Sequence, residues 1–177
     1  MLLPNSVIRF STLKKSGYTE MEIKKKVVSL TLFPTPFKGV YYIPFEDERK
    51  SRTLHDPMKA LTMSVESYLG SDRFYYTCRS ALEWLGIEWH PSGLFHIANE
   101  KVSKKIELES RVGRKKKKKT YYSKTSAEIL AQYGREIIFH KCKTMDKAKY
   151  KETPSGRFAT EKQIRVDQKR FHCGILK

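Results

Sequence analysis

The sequence predicts an α+β protein in two parts: a small N-terminal module of paired helices and strands, then a larger, basic, mixed α/β domain. Three observations carry that expectation. Along the 177 residues, apolar spacing switches repeatedly between a helical and an alternating period. One stretch, Phe74–Trp89 (FYYTCRSALEWLGIEW), concentrates large rings around a small-residue step at Ser80-Ala81, the strongest core signal in the chain. The charge is also uneven. Residues 1–93 carry 13 basic and 10 acidic side chains, whereas residues 94–177 carry 23 and 9 of the overall +17.

In order, Val7, Phe10 and Leu13 recur at three-residue spacing and predict a short amphipathic helix over residues 6–15, ended by Ser16-Gly17. Thr19-Glu20-Met21-Glu22 reads as a capping box, because a threonine hydroxyl accepts from the amide three residues on and Glu22 reaches back. A second helix then runs to about Leu30 with Lys24, Lys25 and Lys26 on its outer arc. Pro34 and Pro36 stop it, and Phe37–Pro44 is a β-type run with Gly39 near its start. Two helices leading into a strand pair with a glycine bend form the pattern of a small winged helix, here residues 1–45; other α–α–β pieces share the pattern. The charged segment at 46–55 reads as a linker, and residues 56–177 as the basic α/β domain.

That domain opens with Asp56 capping a helix that has Pro57 at its first position and Gly70 at its end. The central stretch then reads as a strand, a change of period at Thr77 or Cys78, a helix of about two turns closed by Gly86, and a return through Ile87 and Trp89. Leu94–Ala98, Lys105–Glu109 and Ile137–Phe139 are strand candidates, and Ser126–Tyr133 is a helix candidate. Residues 144–157 read as a lysine-rich loop, and Thr160 as the cap of a final basic helix.

Gly17-Tyr18-Thr19, Gly39-Val40-Tyr41-Tyr42, the Asp56-Pro57 helix, and Ser80-Ala81-Leu82 a few residues before Gly86 together resemble the AbiEi-type antitoxins. These are the transcriptional-regulator halves of type IV toxin–antitoxin (abortive infection) systems. The resemblance runs from about residue 5 to about residue 165, over short motifs. It implies an N-terminal winged helix that binds the promoter of its own operon, a basic C-terminal domain needed for antitoxin action, and a cognate nucleotidyltransferase-like toxin. The N-terminal module here is shorter than the family's, without room for a clear third helix before the wing.

The charge points to a polyanionic partner. On the winged-helix reading, Lys24, Lys25, Lys26 and Lys38 face the phosphates of an operator duplex. The run Arg114-Lys115-Lys116-Lys117-Lys118-Lys119 must reach water and suits an arm that follows phosphates or a solvated loop; it is also compatible with a nuclear-localisation signal. Tyr121 and Tyr122 beside it could stack on bases, which keeps RNA or single strands open as the alternative target. No Gly-rich phosphate loop, nucleophile elbow or H-E-x-x-H is present, so the expectation is a non-enzymatic regulator. Glu107 and Glu109 with Lys105 are the only candidates for a metal-dependent nuclease, and alternation on an exposed strand explains them equally well. His140-x-Cys142 and His172-Cys173 match no common zinc spacing, and Cys78 reads as a small buried apolar residue, so no metal and no cofactor are assigned. An odd number of irregularly spaced cysteines and no long apolar run imply a cytoplasmic protein without a membrane span or a disulfide framework.

Overall fold

The computed structural model describes residues 2–108 and 124–173. It is a mixed α+β structure with two sheets and, among the described residues, seven helices. Elements up to residue 70 are β1 (Ser6–Arg9), α1 (Phe10–Lys15), α2 (Glu20–Val28), β2 (Phe33–Pro34), β3 (Val40–Ile43), α3 (Glu46–Ser51) and α4 (Pro57–Leu69). After them come β4 (Phe74–Thr77), α5 (Cys78–Trp84), β5 (Leu94–Asn99), β6 (Lys104–Glu107) and α6 (Lys124–Ala131). The chain finishes with β7 (Glu136–Lys141), β8 (Tyr150–Thr153), β9 (Gly156–Ala159) and α7 (Glu161–Phe171). No helix among the described residues is long and apolar enough to cross a membrane. Two compact units emerge, one from Met1–Gly70 with Leu108–Tyr133, the other from Ser71–Glu107 with Gly134–Lys177.

The first unit holds a three-stranded antiparallel sheet in the order β1-β3-β2. The helix expected over residues 6–15 begins only at Phe10, because Ser6–Arg9 instead pairs with Ile43–Val40 as a strand. β-Branched Val7 and Ile8 suit that pleat, and the ladder satisfies backbone groups of β3 that would otherwise face water or each other. The Phe10 amide donates to Gly39 O at 2.7 Å, tying the start of α1 to the turn before β3. At α2 the expected box is complete: Glu22 N donates to the Thr19 hydroxyl at 3.2 Å, and Thr19 N donates to the Glu22 carboxylate at 2.7 Å. Leu13, Ile23, Leu32 and Ile43 are buried together beneath these elements.

The 46–55 segment is not an extended linker; it contains α3. Glu48 is almost wholly buried and accepts from Tyr42 Oη at 2.9 Å, Phe45 N at 2.8 Å and His55 N at 2.8 Å. One carboxylate with three donors holds the segment that composition alone marked as solvated. α4 follows as its caps dictate: Asp56 Oδ1 accepts from Lys59 N at 2.8 Å, and Gly70 closes it at φ 61°. It packs on β1 and β3.

The second unit is built on a six-stranded mixed sheet in the order β6-β7-β5-β4-β9-β8. β5 and β7 run parallel, as do β4 and β9, and the other neighbours are antiparallel. All four residues of β4 are buried, as the unbroken apolar run FYYT requires of a central strand. Its outward return does not form. Trp89 is 86% exposed, and Trp84 lies flat on Phe158 at 4.5 Å while remaining 40% exposed. Of the rings in that stretch, Phe74, Tyr75 and Tyr76 are buried as expected, joined in the core by Phe139 and Phe158 from other strands. The lysine-rich 144–157 loop is also corrected, since most of it is the hairpin β8–β9 turning at Pro154-Ser155. Lys151 is exposed on the edge strand β8, where charge discourages further strand pairing. α5 and α7 pack against each other and both contact β4 and β9.

Candidate functional site

Two kinds of polar feature stand out: a cation-lined groove in each unit, and a sulfur and nitrogen cluster in the second. In the first, α2 projects Lys24 and Lys25 into solvent, while Lys26 is half-buried with its ammonium 4.9 Å from the Tyr18 ring centroid. Lys24 Nζ pairs with Glu20 at 2.9 Å, an exposed i,i+4 contact that costs little to exchange for another anion. Lys38 is exposed on the turn that Gly39 closes at φ 76°. Lys24 and Lys38, fourteen positions apart in sequence, line one groove of about 490 Å³ with Phe10, Ile23 and Tyr41. Arg114, Lys115, Lys116, Lys117, Lys118, Lys119, Tyr121 and Tyr122 lie outside the described residues.

In the second unit, a groove of about 360 Å³ is lined by Tyr75, Thr144, Lys147, Lys149, Lys162 and Arg170. Sequence reasoning missed this convergence of cations. Lys147 and Lys149 alternate toward the start of β8, but Lys162 and Arg170 come from α7, and only the fold brings the two segments side by side.

The second unit also gathers four side chains with metal-ligating atoms. One such atom from each of Cys78, His96, His140 and Cys173 lies within 4.8 Å of all the others. His96 Nδ1 faces His140 Nε2 at 3.0 Å, and the sulfurs of Cys78 and Cys173 are in bonding contact with their Cα atoms 6.1 Å apart. The sheet explains the histidines. Thr77 of β4 registers with His96 of β5, and Ala98, two residues along β5, registers with His140 of β7. The period of two therefore sets both imidazoles on the same face, with Cys78 just past the end of β4. Cys173 reaches them because α7 ends in a left-handed turn at His172, φ 52°.

The two histidines are also held from outside. Ser80 Oγ accepts from His96 N at 2.7 Å and donates to Leu94 O at 3.1 Å. Asn99 Nδ2 donates to His140 O at 3.3 Å, while its Oδ1 accepts from the amides of Lys101 and Val102. The His140 ring lies between His96 and Phe171, with the Phe171 centroid 4.4 Å away. Burial pushes the imidazole of His96 down to about 4; burial and the neighbouring His96 do the same to His140, also to about 4. Both rings are thereby neutral near pH 7. Cys78, wholly buried, takes φ 52°, an uncommon backbone for a residue with a Cβ.

This cluster was not legible as a motif. Its members are 18, 44 and 33 positions apart, and each of the two pairs weighed in sequence contributes one member. Cys142 of the first pair is buried without joining the cluster, and His172 of the second is exposed. The nuclease candidates have a simpler account: Lys105 Nζ pairs with Glu136 at 2.7 Å and Glu107 at 3.6 Å across β6 and β7, and Glu109 lies outside the described residues. Compared with family models, curated proteins and solved structures, the chain matches none.

Proposed function

We propose that this chain is a non-enzymatic, DNA-binding transcriptional regulator whose first unit docks on an operator duplex as a winged helix. One observation carries the reading: Lys24 on α2 and Lys38 on the turn before β3 share a single groove. The topology supports it, because two helices joined by a tight turn lie between β1 and β2 and the antiparallel sheet has the order β1-β3-β2. α4 packs on β1 and β3 and so supports the sheet of this unit. Lys24, Lys25, Lys26 and Lys38 neutralise phosphates, and lysines acting as point charges position the protein more than they read bases. The resemblance to AbiEi-type antitoxins extends the proposal to repression of the chain's own operon and to a nucleotidyltransferase-like toxin as partner.

Fluorescence anisotropy with the upstream duplex, a shuffled duplex and single-stranded RNA tests this at several salt concentrations. The upstream duplex binds tightest, and the preference persists as salt rises. Replacing Lys24 and Lys38 together by alanine weakens duplex binding. It also flattens the slope of log affinity against log salt by about 0.9 for each phosphate no longer neutralised. Equal binding to all three probes with no effect of the double substitution rejects the reading. The groove of Lys147, Lys149, Lys162 and Arg170 favours a second reading, RNA or single-strand binding by the second unit. Under that reading Lys147→Ala with Lys149→Ala removes RNA binding while the Lys24 and Lys38 substitutions leave it intact.

A further inference from the structure

We infer that Cys78, His96, His140 and Cys173 form a Cys₂His₂ zinc site that clamps the second unit. A disulfide explains two sulfurs but not why a buried and a half-buried imidazole meet each other beside them. A metal explains all four. Zinc bonds of about 2.0–2.3 Å place tetrahedral ligands about 3.3 Å apart for two nitrogens and about 3.8 Å for two sulfurs. The 3.0 Å between His96 Nδ1 and His140 Nε2 is close to the nitrogen spacing, and the two sulfurs, now in bonding contact, reach theirs by parting around the ion within a set that spans 4.8 Å.

The chemistry agrees with the geometry. Two thiolates and two neutral imidazoles balance the charge of a divalent cation, which a largely buried site needs. Mixed sulfur and nitrogen donors in tetrahedral array select zinc over calcium or magnesium, which take oxygen. Four protein ligands leave no open position for water or substrate, so the site is structural rather than catalytic. Binding Zn²⁺ releases the two thiol protons and forms two Zn–S and two Zn–N bonds with no change of oxidation state; closing a disulfide instead requires an oxidant to take two electrons. The surrounding hydrogen bonds fit the role too. Ser80 bonds the His96 amide and Asn99 the His140 carbonyl, which fixes the backbone from which both rings project. The ligands come from the β4–α5 junction, β5, β7 and the end of α7, so one ion joins three neighbouring strands to the last helix. Such a clamp does not depend on nucleic-acid binding by the first unit.

The full chain, purified under reducing conditions, is analysed for metal content and then titrated with Co²⁺ after removal of bound metal. One zinc per chain is expected, and Co²⁺ gives the thiolate-to-metal charge-transfer band and the intense visible bands of a tetrahedral site. Cys173→Ser and His140→Ala each weaken metal binding by more than about 100-fold, beyond the effect of losing an outer partner. Cys142→Ser, which removes the buried cysteine outside the cluster, leaves content and spectrum unchanged. Because the Co²⁺ spectrum is read on the unaltered chain, misfolding of a ligand variant does not obscure the answer. A metal-free chain whose mass is lower by two hydrogens, and which takes up no Co²⁺ into a tetrahedral thiolate site after reduction, overturns the inference. So does a spectrum without thiolate character.

Discussion

Each unit buries one carboxylate with three hydrogen-bond donors, and the two differ in where those donors come from. Glu48 is served by Tyr42, Phe45 and His55, all within seven positions of it in sequence. Asp167 is served by Tyr75 Oη at 3.0 Å, Thr77 Oγ1 at 2.6 Å and Gln163 Nε2 at 2.9 Å, and the first two lie 92 and 90 positions away. Glu48 therefore shapes a local turn. Asp167 bolts the last helix to the central strand, using two side chains that the strand's period of two sets on one face. The buried carboxylate of unit one thus closes a short stretch of chain, and that of unit two ties together segments about 90 positions apart. The difference tells where damage should spread.

The largest effect is expected at Asp167. Asp167→Ala leaves Tyr75 and Thr77, both fully buried, without their acceptor, and urea unfolding should show a loss of about 4 kcal/mol. Glu48→Ala costs about 2 kcal/mol by the same measurement, because His55 is exposed and water can take over its amide. Equal losses, or the reverse order, would break the contrast between bolt and local turn. Helix caps sharpen it on a smaller scale. Thr19 belongs to a reciprocal box, whereas Thr160 accepts from Gln163 N at a long 3.4 Å and its own amide donates to Lys149 O at 2.9 Å. Thr19→Ala should therefore cost about 1 kcal/mol and Thr160→Ala about 0.5 kcal/mol in thermal unfolding. The smallest change has the opposite sign. Tyr133 Oη is buried with no hydrogen-bond partner among the described residues, so Tyr133→Phe should stabilise by about 0.5 kcal/mol. A destabilised variant would mean that the hydroxyl has an acceptor.

Much of the secondary structure was readable because its causes are local. The Thr19 box, the Asp56-Pro57 start with its Gly70 stop, and the change from strand to helix at Thr77-Cys78 each need only a few neighbouring residues. The misread elements had non-local causes. Ser6–Arg9 became a strand because β3 offered it a partner, the lysine-rich loop became a hairpin on the edge of a sheet, and α3 is anchored by a glutamate that composition placed in water. Trp89 was expected in the core by its size, yet the chain past Gly86 carries it into solvent.

The sequence by itself determined the mixed α+β class, the helix caps and the concentration of positive charge in the second half, since propensity, capping and charge act through residues close along the chain. Only the tertiary structure decided which cations share a groove, which carboxylates are buried, and that Cys78, His96, His140 and Cys173 meet. Those outcomes depend on strand order and register. A six-stranded sheet that places β7 beside β5 and β5 beside β4 joins residues whose separation in sequence carries no recognisable period.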